Sequence, residues 1–343
     1  MEQQKQRNPG LDFLRYLCAF FVVLLHMPFP FEQHIEPVIR LMVPIFAMIT
    51  GYFYESTYQK GKTLDQIKKI ARLLLYAYLL YFVWDMIYLA RNGQSFGAYM
   101  RALFHPVQVA KFLACNASLL SGHLWYLGAL LYGLVILYFA DRFHIREKLY
   151  KWIPVFFLLN LVLGTYSVVL LGFRAPVLLT RNFLLFILPF LLLGDWLRKK
   201  QPAIPNRYLI AGILLSAAVV LGEKQFLLRN FTEFNEDFLL GIPTLAAFAF
   251  LLALNNGHRF QRGIPGFFAK LGRKTATTVY IIHILVMTEL DQIVAAAAGA
   301  LPWVLDVYYV LGPVIVMAVS TILSAGIHRI SAGRKQNKNK GTE

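Results

Sequence analysis

Charge is scarce in this chain, and negative charge is scarcest. Only 15% of the 343 residues are charged, with 18 Asp and Glu against 34 Lys and Arg. Soluble domains carry about 25% charged residues, so a chain of this length has too little to coat a water-facing surface. Cysteine is nearly absent. Cys18 and Cys115 fall in different segments, which excludes a disulfide framework and a cysteine-built metal motif. Long polar stretches are also missing, leaving no room for a soluble enzyme domain outside the apolar segments. No internal repeat is visible. The first apolar segment continues directly into further ones, so no cleavable secretion signal is expected.

Apolar side chains are abundant instead. They make up 58% of the chain, with Phe 28 and Tyr 18, a composition suited to a bilayer as solvent. The expected fold is an all-α polytopic membrane protein. Ten transmembrane helices in one bundle are predicted at about 11–29, 38–56, 70–90, 122–140, 152–171, 180–197, 207–222, 238–254, 275–296 and 305–326. A single membrane domain would then cover 1–328, and the polar, basic segment 329–343 reads as a disordered cytoplasmic tail.

The net charge of +16 raises the question of nucleic acid. The cations do not form one basic face, however. They recur in short clusters between apolar spans, as topology control requires. With both termini cytoplasmic, 25 of the 34 Lys and Arg fall in the lead, inner links and tail, against eight in the outer links. That bias recurs at every inner link.

Within this frame the stretch Gly10–Pro28 stands out. Asp12 and Arg15 lie near the start of the first span and His26 near its end. Ionisable residues at membrane depth are costly and usually persist for pairing or chemistry. Eleven helical steps from Arg15 to His26 correspond to roughly 16 Å. An anion held near one face and an imidazole working much deeper fit that spacing. The plainer reading also stands: Asp12 and Arg15 pair with each other or with head groups, and His26 packs beside the Met27-Pro28 exit. Lys69 and Arg72 open the third span at the inner side. They serve either as positive-inside anchors or, together with Arg15, as a receptor for a phosphate-bearing molecule.

The chain resembles the membrane-bound acyltransferase-3 family over nearly its whole length. Arg15 and His26 match that family's first-span arginine and histidine, and Leu11-Asp12-Phe13-Leu14-Arg15 resembles its opening motif. Val43-Pro44 through Gly51-Tyr52-Phe53 resembles its proline-aromatic-glycine segment, with Thr50 where serine is common. Lys69 and Arg72 fill a basic pair that is commonly two arginines. His123-Leu124-Trp125-Tyr126-Leu127 and Tyr280-Ile281-Ile282-His283 resemble two further motifs.

The resemblance implies acyl transfer, most often acetyl from acetyl-CoA or another short acyl-CoA, to a hydroxyl of an envelope carbohydrate, glycolipid or peptidoglycan precursor. It places the protein in a bacterial cytoplasmic membrane. His26 is then the expected general base, with a transient acyl-histidine as the weaker option. Asp12 positions Arg15. Arg15, Lys69 and Arg72 hold the donor phosphates. Tyr52, His123, Trp125 and His283 are expected to meet the substrate, although each also suits a packing, capping or interfacial role. No permanently bound cofactor is expected, and the histidine spacing compels no metal site.

Two other classes compete. A transporter or flippase for a glycolipid, acyl donor or small anion fits ten spans and buried charge, but matched inverted halves and paired broken helices are lacking. A polysaccharide-synthesis scaffold without activity is the other. The pattern of Arg15, His26, Lys69 and Arg72 favours an enzyme over both.

Overall fold

The computed structural model describes residues 7–340, with side chains through Ile330. Among the described residues every regular element is helical. The α-helices in chain order are α1 (Pro9–Leu24), α2 (Glu32–Ile39), α3 (Met42–Gln59), α4 (Thr63–Arg91), α5 (Phe96–Leu103), α6 (Pro106–Cys115), α7 (Trp125–Arg142), α8 (Arg146–Leu149), α9 (Ile153–Leu163), α10 (Ser167–Leu171), α11 (Leu188–Lys200), α12 (Asn206–Asn230), α13 (Ile242–Asn255), α14 (Gly263–Ala298) and α15 (Trp303–Lys340). Most of the tail set apart at 329–343 lies outside the described side chains.

The expectation of ten spans is corrected to six. The helices long and apolar enough to cross a bilayer cover Glu32–Gln59, Thr63–Arg91, Gly122–Arg142, Asn206–Asn230, Gly263–Ala298 and Trp303–Ile330. The other four predicted spans are short or broken helices. α1 has 16 residues, about 24 Å of rise against a hydrocarbon core of about 30 Å. The segment 152–171 divides into α9 and α10 where Gly164 leaves helical geometry (φ −107°, ψ −101°). The segment 180–197 opens as a π-helical turn at Phe183–Ile187, and only then does α11 begin. The helix expected at 238–254 begins late, at Ile242, and keeps 14 residues. Hydropathy sums composition over a window and is blind to these interruptions.

Contacts divide the chain into two compact units, one of residues 1–42 with 247–343 and one of residues 43–246. In the first unit α1 lies along α14, and glycine allows the approach. A Cβ on Gly272 would overlap the carbonyl oxygen of Asp12, and one on Gly10 would overlap that of Ala253. Small residues at such points let helix backbones touch. Asn8 caps α1: its side-chain oxygen accepts from the N–H groups of Gly10 and Leu11, and its amide donates to Leu254 O at 2.9 Å. Phe13 meets Phe260 and Tyr16 meets Phe268, with ring centroids 4.6 and 5.3 Å apart. α15 runs back along α14, with Ser324 bonded to Thr275 O at one end and Tyr308 to Asp291 at the other.

The second unit has an aromatic centre in which Phe157, Phe186, Phe190 and Phe238 meet ring to ring. Asn160, fully buried, donates to the carbonyls of Thr180 and Leu185 and so ties α9 to the irregular turn before α11. α3 and α11 touch through glycine as well: a Cβ on Gly51 would overlap Leu191 O, and one on Gly194 would overlap Met48 O.

Candidate active site

In the first unit α1 ends at Leu24 and the chain turns, with the His26 N–H donating to Val23 O at 3.1 Å. This turn sets the His26 ring off the helix and leaves it exposed on the wall of a cavity of about 370 Å³. Met287, Asp291 and Tyr308 also line that cavity. The parallel run of α1 and α14 brings His283 beside it: the two imidazole centroids are 5.2 Å apart, their planes inclined by 42°. His283 is fully buried. Its Nδ1 faces Tyr280 O at 2.7 Å and Val279 O at 3.3 Å. A carbonyl only accepts, so Nδ1 carries the proton, and in the neutral ring Nε2 is the acceptor. A buried imidazole of fixed tautomer therefore stands behind an exposed one.

Asp12 and Arg15 lie near the other end of α1. Asp12 is buried and accepts from Arg7 Nε at 3.0 Å and Arg15 Nη1 at 3.3 Å. Two cations share one carboxylate, so this end of the helix carries net positive charge. The helical rise separates Asp12 from His26 by about 20 Å. The structure thus joins Asp12 to Arg15 and keeps it apart from the imidazole.

The remaining residues singled out by sequence belong to the second unit. Lys69 and Arg72 are exposed in the early turns of α4, with Arg72 Nε donating to Lys68 O at 3.3 Å. Tyr52 is buried, and Arg198 lies over its ring at 5.2 Å while donating to its hydroxyl at 3.2 Å. Arg198 belongs to the basic last turn of α11, so Tyr52 lies beside positive charge. His123, also buried, bonds through Nδ1 to Ser121 Oγ at 2.8 Å and meets Tyr81 edge-on. Trp125 packs edge-on against Phe186.

One group escaped the sequence reading. Arg146, on α8, is buried against three carboxylates: Glu55, Asp141 at 3.0 Å and Asp195 at 3.5 Å. Its guanidinium lies over the Tyr58 ring at 4.7 Å. Burial alone would lower its pKa, but Asp195, Asp141 and Glu55 outweigh that and hold it above the ordinary value. Tyr150 donates to Asp195 at 2.5 Å, and burial together with that carboxylate keeps its hydroxyl protonated. The signal was present in Glu55 and Asp195, carboxylates inside predicted spans. Asp291 and Tyr308 were missed as lining residues of the His26 cavity because only the α14–α15 pair brings them there.

Residues 8–328 match the family described as an acyltransferase domain. Among curated proteins the chain is similar to an amino-acid racemase of Enterococcus faecalis, 26% identical over 321 residues. That match takes in 84% of this chain and 42% of the racemase, so the chain spans less than half of that relative's length. No solved structure matches the chain.

Proposed function

Because the chain belongs to the acyltransferase-3 family, a bacterial membrane-bound acyltransferase family, we propose that it transfers an acetyl group from acetyl-CoA to a hydroxyl of a cell-envelope carbohydrate or glycolipid. The observation that carries this reading is the exposed His26 imidazole on a cavity wall beside the buried His283. In the proposed step His26 takes the proton of the acceptor hydroxyl as its oxygen attacks the thioester carbonyl carbon. The carbon–sulfur bond then breaks, and the thiolate leaves with the proton returned by the imidazolium. His283 packs behind that ring and orients it.

Arg15, with Lys69 and Arg72, supplies positive charge for the donor's phosphates. Asp12 acts on Arg15 as a positioning residue. The net positive end of α1 and the His26 cavity at its other end suit a donor entering from the cytoplasm and an acceptor displayed outside. A bacterial inner membrane is the proposed location, and an even number of spans keeps both termini on one side, read as the cytoplasmic one. His123, Tyr52 and Trp125 have partners that suit packing as well as substrate contact. Racemisation is not carried over, since more than half of that relative lies outside the matched stretch.

The test uses purified protein, labelled acetyl-CoA and an envelope-glycan fraction. Label should pass to glycan with the natural protein and not with a folded His26→Ala variant. Undiminished transfer by that variant would sink the assignment of the base.

A further inference from the structure

The cavity beside His26 carries a charge pattern that bears on what enters it, and this step rests on the acyl-transfer reading above. Between Lys274 and Arg329 the chain has no Lys or Arg, while it has Glu289, Asp291 and Asp306. All three acids fall in the half of the α14–α15 pair that holds the cavity. Elsewhere in this unit Arg40 pairs with Glu36 one turn away. Among the described residues no cation lines the cavity, and Asp291 does.

The carboxylate is held in place. Tyr308 donates its hydroxyl to Asp291 Oδ1 at 2.8 Å, which uses one of about four lone-pair sites and leaves the group able to accept further donors. The rest of the wall is mostly apolar, from Met27, Met287 and Leu305, and Asp291 is itself exposed, so its charge acts at short range, on a group that enters the cavity. Repulsive elements of this kind set selectivity as effectively as attractive ones.

We propose that Asp291 selects the acceptor: it takes a hydrogen bond from a hydroxyl or ammonium of a neutral or amino-bearing sugar unit and turns away a unit bearing carboxylate or phosphate. The unit that receives the acyl group is then not a uronic acid or a phosphorylated sugar. A discrimination on the order of tenfold is expected, the effect of one modest electrostatic difference.

A binding readout independent of catalysis tests this. Diethyl pyrocarbonate, a neutral reagent that acylates imidazoles, is applied to the full-length protein, and modification of His26 is followed by peptide mass spectrometry. Methyl glucoside and glucosamine should slow that modification, and methyl glucuronide should not. Asp291→Asn should let the glucuronide protect as well as the glucoside, whereas Asp291→Glu should keep the discrimination. Equal protection of the natural protein by glucuronide, protection by none of the three sugars, or an unchanged pattern in Asp291→Asn would overturn the proposal. A protein that shows the pattern but transfers no acetyl group would strike the general-base reading and leave this selection standing.

Discussion

Gly272 sits against the backbone of Asp12, so close that a single added methyl group would lie 2.0 Å from that residue's carbonyl oxygen. The contact holds α1 and α14 in the register that puts His26 beside His283 at the other end. It is a backbone constraint with a consequence for chemistry far along the helix.

Gly272→Ala should therefore weaken both stability and activity. Overpacking typically costs about 1–3 kcal/mol, and here the obstructing atom is backbone, which cannot rotate away. Thermal unfolding in detergent should show a lowered midpoint, while Gly326→Ala, with open space around it, serves as the neutral control.

Replacement of the two histidines should have unequal effects. Loss of a general base lowers rates by about 10²–10⁴-fold, so His26→Ala should fall in that range with donor affinity little changed. His283→Gln retains a hydrogen-bonding side chain and should lower kcat less. Equal, complete losses in both would indicate that the pair acts as a unit.

Arg15→Ala should raise the acetyl-CoA concentration needed for half-maximal rate by roughly tenfold, the worth of one charge-assisted hydrogen bond. Arg15→Lys should fall between, because the ammonium keeps the charge and loses the planar fork. Asp12→Asn should shift the same constant by releasing both Arg7 and Arg15 from their shared carboxylate. A donor dependence unchanged in all three would remove this helix end from the donor site.

Arg146→Met should destabilise the protein by roughly 3–5 kcal/mol, since it leaves the carboxylates of Glu55, Asp141 and Asp195 without their common cation. Tyr150→Phe should cost less, about 1–3 kcal/mol, by removing one donor from Asp195. The pKa of Arg146 is raised in the folded protein, so its contribution is fully present below the unfolded value and is lost only as pH rises through the folded one. Both lie far into the alkaline range. Burial pushes the Asp195 carboxyl up and Arg146 holds it down, so the deficit of Arg146→Met in unfolding midpoint should shrink as pH falls and the uncompensated carboxylates take up protons.

Much of this was legible before any coordinates. Composition settled the all-helical membrane class, and the spacing of Arg15 and His26 pointed to the two ends of one helix. The count of spans was not legible, because Gly164, the turn at Phe183–Ile187 and the late start of α13 break apolar runs without changing their hydropathy. Arg146 read as one more cation of a basic link, although its partners Glu55 and Asp195 were acids at membrane depth.

Burial and charge bias add up residue by residue, so the sequence alone determined that this protein lives in a membrane, how its links are charged and which ionisable side chains are too costly to be idle. Which of those side chains meet was decided by tertiary structure. His26 finds His283 across helices from distant parts of the chain, where glycine contacts that no window of neighbouring residues contains bring α1 against α14, and Asp291 finds Tyr308 across the turn between α14 and α15. Pairing depends on distance in space, and the chain specifies that distance only once its helices have packed.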